Sequence, residues 1–383
     1  MKKNILLIIS RIFVGSIFIF SGFVKSVDVL GSTYKFTDYF TAFGTDWAIP
    51  LALPLAFLLS NLEFIVGIAV LFGFCRKMSY SFALLFMIVF TPLTFYIALK
   101  NPVTDCGCFG DALVITNWQT FWKNIIILIP VIYLFVNRKK QKKRKIKIEI
   151  LSFAVTGLLI FIFSFYCYSH LPVIDFRPYK IGTYLPDKMI VPEDAPVDEY
   201  IYNYTLKNTK TGEIKEMDSN EYLKTKIWED TTWQITETSD PILLKEGYHP
   251  PIHDFTITSR DGYEITDSVL YSNKYYFLLI MYRIDKADLS KTEQINKLYE
   301  YCKTHDYKFI ALTASVDNDI EQYKEKTKAQ YDYYITDEIT LKTIIRSNPG
   351  LVLIKKGTVL GKWHYNDLPD INDLEKKYLK NNK

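Results

Sequence analysis

Long apolar runs crowd the first 170 residues of the chain and then stop. Five of them, at 5–24, 51–74, 80–99, 121–136 and 148–168, approach the ~20 residues a helix needs to cross a bilayer core. Trp118 and Trp122 at one end of the shortest run, and Tyr133 near the other, suit membrane interfaces. No small-residue cleavage site follows the first run and four more come after it, so it reads as a span and not a removed signal. Beyond residue 180 the pattern is that of a charged, globular sequence. Residues 200–206 and 214–217 predict a hairpin around the Lys210-Thr-Gly-Glu213 turn. His249-Pro-Pro251 is a stiff linker, and 254–265 reads as strand, turn, strand. The continuous apolar run 275–282 predicts a buried central strand. A helix over 289–304, a strand at 308–314, a helix over 320–328, a short strand at 333–335, a helix over 340–345 and a hairpin of 351–355 with 359–364 complete the order. The expected fold is an α-helical transmembrane bundle followed by an α/β soluble domain.

Charge sets an expected orientation. The net charge of +4 is small, and much of the basic excess sits in one run, Arg138–Lys147. Lys2 and Lys3, Arg76 and Lys77, and that run all fall on one side if five spans alternate. The positive-inside rule then makes the amino terminus cytoplasmic and puts the carboxy-terminal domain outside, in the periplasm of a Gram-negative cell, with the chain a multi-pass protein of the inner membrane. The lipid bilayer is the expected partner. The soluble half shows no basic stripe interleaved with aromatics, which argues against nucleic acid.

The chain has five cysteines, and their placement matters more than their number. Cys75 ends the second span and Cys302 lies in an amphipathic helix; both read as packing residues. Cys167 and His170 read as helix-end residues, within reach of the loop between spans three and four. That loop, Asn101-Pro-Val-Thr-Asp-Cys-Gly-Cys-Phe-Gly-Asp111, places Cys106 and Cys108 around a glycine on the expected oxidising side. A redox-active pair, a loop staple and a soft-metal site are the three readings. An i to i+2 bridge closes too small a loop to add much stability. No third or fourth ligand is evident nearby, so no metal is assigned. Redox activity ranks first, because strained or exposed disulfides tend to be labile.

Ionisable residues inside spans are functional candidates by default. Glu63 lies mid-span, and Arg11 on span one is its nearest obvious partner. Lys25 and Lys123, near the ends of spans one and four, are placed to flank the cysteine loop and lower a thiol pKa.

The segments Asp105-Cys-Gly-Cys-Phe-Gly-Asp111 and Asn117-Trp-Gln-Thr-Phe-Trp-Lys-Asn124 resemble the DoxX-like and MauE-like membrane family. Span one, Arg11 through Lys25, and span two, with Glu63, Gly67 and Gly73, agree with the family pattern. The resemblance covers about 1–137 and implies a four-helix membrane domain, to which the fifth helix is added. His170 through Gly182 looks like the joint of a longer Bacteroidetes-type subgroup that adds a thioredoxin-like domain. The strand and helix order after 251 resembles such a domain of the TlpA or peroxiredoxin-like kind, with Pro349 as the cis-proline candidate. One departure stands out: Arg283-Ile-Asp-Lys-Ala-Asp288 occupies the place of the Cys-x-x-Cys. The expected domains are therefore 1–137 (membrane bundle), 138–170 (basic loop and fifth helix), 171–250 (linker and small β-rich segment) and 251–383 (thioredoxin-like, without Cys-x-x-Cys). Family members are linked to maturation of methylamine dehydrogenase and to quinone-linked oxidation, so a quinone is the candidate cofactor and a periplasmic client or redox protein the candidate partner. Two functions compete: a thiol–disulfide or quinone-linked oxidoreductase using Cys106 and Cys108, and a non-enzymatic membrane adaptor or maturation factor whose outer domain binds a partner.

Overall fold

The computed structural model describes residues 2–138, 145–245 and 247–379. Most of the basic run, residues 139–144, lies outside the described residues, as does Lys383. Among the described residues five helices are long and apolar enough to cross a membrane. They belong to α1 (Lys2–Val27), α3 (Ala52–Phe72, led in by a 3₁₀ turn from Asp46), α4 (Arg76–Lys100), α5 (Asn117–Val136) and α6 (Ile146–Ser169). The loop expected between the first two spans instead holds a further helix, α2 (Val29–Ala42). Its start is capped by Asp28, whose carboxylate accepts from the Gly31 N–H at 2.8 Å.

Small residues set the closest packing in the bundle. A Cβ on Gly22 would lie 2.4 Å from the Phe64 nitrogen, and one on Gly67 would lie 2.6 Å from the Ile19 nitrogen. Only hydrogen fits there, so α1 and α3 approach backbone to backbone, as small residues allow in membrane helices. A core of Val14, Phe18, Val66, Val70, Tyr80 and Phe86, with α5 residues Ile127, Val131 and Leu134, fills the bundle.

Residues 184–254 form a compact unit of their own. After a short helix, α7 (Leu185–Met189), come β1 (Glu199–Ile201), β2 (Asn203–Asn208), β3 (Ile214–Asp218), α8 (Ser219–Thr225), β4 (Trp233–Thr238) and β5 (Ile242–Lys245). The expected hairpin is β2 with β3, and β4 pairs on the other side of β2.

The remaining carboxy-terminal residues pack in one compact unit with the bundle. They comprise β6 (Thr258–Ser259), α9 (Thr266–Leu270), β7 (Tyr276–Met281), α10 (Thr292–Thr304), β8 (Lys308–Thr313), α11 (Asp317–Thr327), β9 (Asp332–Ile335), α12 (Glu338–Ile344), β10 (Gly350–Lys355), β11 (Thr358–His364) and α13 (Ile371–Leu374). The sheet order is β11-β10-β7-β8-β9-β6. β7, β8 and β9 run parallel, while β10, β11 and β6 are each antiparallel to their neighbours. β7 is central and fully covered: Phe277 through Met281 are each 0% exposed. The β7–α10–β8 crossover followed by the β10–β11 hairpin gives a thioredoxin-like α/β domain. The strand–turn–strand expected over 254–265 is reduced to β6 and a bridge from Thr258 to Glu264. The Ile257 N–H bonds the Thr266 hydroxyl at the head of α9 instead of a neighbouring strand.

Candidate thiol site

The loop between α4 and α5 is built by its own polar residues. The side chain of Asn117 donates to the Asn101 side chain (2.7 Å) and to the Val103 carbonyl (2.9 Å), tying the loop's two ends together. Thr116 and Gln119 close a reciprocal cap at the start of α5. Asp105 accepts from the Gly107 N–H at 2.8 Å, and Gly107 takes a φ of 65°, the left-handed region glycine favours. This turn brings the sulfurs of Cys106 and Cys108 to 3.1 Å. Both are free thiols, and a bond of about 2.05 Å needs them to close by roughly 1 Å.

Three helices of the bundle hold the loop. From α1, the Ser21 hydroxyl donates to the Cys108 carbonyl at 2.7 Å. From α2, the Tyr39 hydroxyl donates to the Cys106 carbonyl at 2.7 Å, and Lys35 pairs with Asp105 at 2.6 Å. From α5, the Lys123 ammonium lies over the Phe109 ring, 4.3 Å from its centre. The thiols face an internal cavity of about 90 Å³, with polar residues Lys25, Glu63 and Lys123 among walls that include Phe18, Phe86 and Met87. An outward-facing apolar groove between α1 and α5, lined in part by Trp118 and Trp122, shares Ile17, Lys123 and Ile127 with this cavity.

The two sulfurs are electrostatically unequal. The Cys106 thiol donates to Cys108, and Lys123 and Lys25 add positive charge. Together these outweigh burial and hold Cys108 below the ordinary thiol range. Cys106 moves the other way, because its proton is held in the bond to Cys108 and burial opposes its charge. A low-pKa thiol beside a protonated one is the arrangement of an attacking and a resolving cysteine.

Among the span residues singled out in sequence, Lys25 and Glu63 meet at 2.8 Å. Arg11 is not Glu63's partner. It lies about 21 Å along α1 from Lys25 at 1.5 Å per residue, and it donates to the carbonyls of Val70 and Leu71 at 3.1 and 2.7 Å. The glycine contacts explain the choice, since they set an antiparallel register that brings the end of α1, not its start, to Glu63. Cys167 is buried, and His170 pairs with Asp367 at 2.7 Å, so neither joins the thiol loop's hydrogen bonds. Cys302 is 0% exposed, and burial pushes its thiol up to about 12. Among the described residues no cluster of three or more His, Cys, Asp or Glu is placed to hold a metal.

The Asn348–Pro349 peptide is cis, at the loop before β10. The Asn348 amide donates to the Arg283 carbonyl at 2.7 Å, and the Asp288 N–H donates to the Asn348 carbonyl at 2.9 Å. The segment standing where a Cys-x-x-Cys would lie is thus fastened to the cis-proline loop and carries no thiol. Sequence reasoning did not single out Ser21, Lys35, Tyr39 or Arg346. Lys35 and Tyr39 are four apart, as are Ser21 and Lys25, and such spacing signals a shared helix face once a helix is recognised.

Residues 3–137 match the family model described as Methylamine utilisation protein MauE. No curated protein matches the chain. Two solved structures are similar to part of it. One is a candidate protein disulfide isomerase from Bacteroides thetaiotaomicron, at 17% identity over 33% of this chain and 84% of that one, with a TM-score of 0.27. The other is a candidate thioredoxin from Neisseria meningitidis, at 16% identity over 34% of this chain and 90% of that one, with a TM-score of 0.28.

Proposed function

We propose that this MauE-like membrane protein with a thioredoxin-like domain is a thiol–disulfide oxidoreductase whose working groups are Cys106 and Cys108. The observation that carries the reading is the 3.1 Å thiol pair beside two lysines in a largely apolar cavity. In the oxidised form, a client thiolate attacks one sulfur of the Cys106–Cys108 bond. A mixed disulfide forms and the other sulfur leaves as a thiolate. A second client thiol then releases the client as a disulfide, leaving Cys106 and Cys108 reduced.

Reoxidation needs a two-electron acceptor, and a bilayer quinone suits the cavity's surroundings. Bound there, a quinone would supply the acceptor for the two electrons and two protons that the dithiol gives up in closing the Cys106–Cys108 bond. The cavity is smaller than the roughly 150 Å³ that holds a benzene ring, so the ring would extend into the groove between α1 and α5. Lys123, common to both spaces, would hold a carbonyl oxygen there, and Glu63, paired with Lys25, would relay the dithiol's protons toward it. The basic segments support a periplasmic thiol loop, to be checked with reporters fused after Lys383 and within 138–147.

Mass-tag trapping of Cys106 and Cys108 in intact cells tests the reading. We expect the pair oxidised in aerobic cells and reduced when quinone is depleted. A pair that stays reduced under both conditions favours the adaptor function instead.

A further inference from the structure

We propose that α2 is a lid on the thiol pair, and that the thioredoxin-like domain is the latch that holds the lid shut through Arg346. The inference rests on the redox reading of Cys106 and Cys108 and adds a control of access to it.

α2 has two working faces. Ser32, Lys35, Phe36 and Tyr39 recur at helical spacing and line the thiol cavity. Lys35 and Tyr39 hold the loop directly, at Asp105 and at the Cys106 carbonyl. The other face meets the thioredoxin-like domain. The Tyr34 hydroxyl donates to that of Tyr282 at 3.3 Å, just past the end of β7, and the Lys342 ammonium lies 4.7 Å from the centre of the Tyr34 ring. α2 is therefore a wall shared by the thiol site and the outer domain.

Arg346 ties the wall to the loop. It is 5% exposed and sits just before the cis-proline loop. Its Nε lies 2.9 Å from Asp28, the residue that caps α2. Its Nη2 lies 2.9 Å from Asp111, three residues past Cys108. One guanidinium thus bridges the start of the lid and the loop beneath it. Removing it would leave two partly buried carboxylates facing each other with only the more distant charges of Arg177 and Lys35 to offset their repulsion, which favours separation. The end of the domain that carries the cis-proline is the end turned to the bundle. Docking therefore closes that end to outside partners and covers α2 at the same time. A protein client reaches the thiols only when the domain lifts.

The test uses the full chain in lipid nanodiscs, pre-reduced and freed of reductant. Labelling of Cys108 is followed by peptide mass mapping with N-ethylmaleimide and with a long-chain PEG-maleimide. Arg346→Gln should speed PEG labelling about tenfold or more while changing the small reagent's rate little, as expected for release of a coupled closure. Arg260→Gln, which breaks an exposed pair with Asp317 and Glu321, should change neither rate. Buried Cys302 reports on folding and must stay unlabelled. If Arg346→Gln exposes Cys302, Tyr34→Ala with Lys342→Ala replaces it and should give the same selective rise. Equal PEG rates in wild type and variant overturn the latch. So does an equal rise for both reagents with Cys302 silent, since that is a loosened loop and not an opened lid. Alkylation needs only a free thiol, so failure of the redox reading in cells leaves this result standing on its own.

Discussion

Cys108 and Cys302 are the same side chain in opposite surroundings. Cys108 lies in a loop where a neighbouring thiol and two lysines stabilise its anion against the cost of burial. Cys302 lies in α10 against the sheet, where burial alone acts and pushes the thiol up to about 12. The contrast extends to whole regions. The membrane half has thiols with a tuned environment and no thioredoxin fold around them. The thioredoxin-like half has the sheet and the cis peptide, yet Arg283–Asp288 stands where thiols would be. The thiol pair and the thioredoxin-like scaffold are parted between two regions, and the ion pairs of Arg346 join them again.

The largest expected effect breaks the contrast at its centre. Cys106→Ser with Cys108→Ser should reduce disulfide formation in a client to the uncatalysed background, whereas Cys302→Ala should leave it unchanged. The measurement is the oxidation rate of a dithiol peptide by the full chain in nanodiscs. Activity that survives the double change and disappears with Cys302 would reverse the assignment. Next in size is reactivity itself. At neutral pH, Cys108 should react with iodoacetamide more than about a hundredfold faster than Cys302. Its larger thiolate fraction outweighs its lower intrinsic nucleophilicity, and Cys302 is buried besides. Comparable rates would remove the electrostatic argument.

How much of this was legible in the sequence depends on the kind of signal. The spans were legible because twenty apolar residues in a row have few other uses. β7 was legible because a run as apolar as 275–282 has to be covered on both faces. α2 was not legible. Its Val29–Ala42 sequence mixes Ser, Thr, Tyr, Lys and Asp without a long apolar run, since both of its faces are occupied by neighbours rather than lipid. Missing α2 also hid Lys35 and Tyr39, whose meaning comes from the face they share. The partner of Glu63 was misread because mid-span charge says that a partner exists but not which one. Glycine contacts between α1 and α3 make that choice, and they are a property of packing. Arg346 was invisible for a further reason: it bridges residues more than two hundred positions away, and no local pattern marks such a pair.

The Lys25–Glu63 pair sharpens the comparison from the side of the scaffold. Both side chains are largely buried, and Glu63→Ala leaves an ammonium without its carboxylate. The cost should be about 3 kcal/mol, in the range for breaking a buried pair. Glu63→Gln should cost less, because the amide oxygen still accepts from Lys25. Thermal unfolding of the nanodisc-embedded variants, read at the bundle's tryptophans, distinguishes the two. Equal tolerance of both would mean that the pair holds nothing together.

The smallest effect is also the most specific, because it concerns one charge near one sulfur. Lys123 reaches the Phe109 ring next to Cys108 and is among the groups that lower that thiol's pKa. The sign follows directly. A positive charge favours the thiolate over the neutral thiol, so its removal raises the pKa and moves the reactive form to higher pH. The alkylation rate of wild-type Cys108 should rise with pH through a midpoint below that of an ordinary cysteine. In Lys123→Met, which keeps much of the side chain's length, the midpoint should move up by about one unit, equivalent to roughly 1.4 kcal/mol. At a pH between the two midpoints the variant should react up to about tenfold more slowly, and above both the rates should converge. High salt should leave the shift largely intact, since charges away from bulk water are screened weakly. The same substitution should leave Cys302 untouched at every pH, because burial alone sets its pKa. If the Cys108 midpoint stays in place without Lys123, then the bond from Cys106 and the charge of Lys25 are enough to account for the low pKa, and Lys123 serves only to line the cavity.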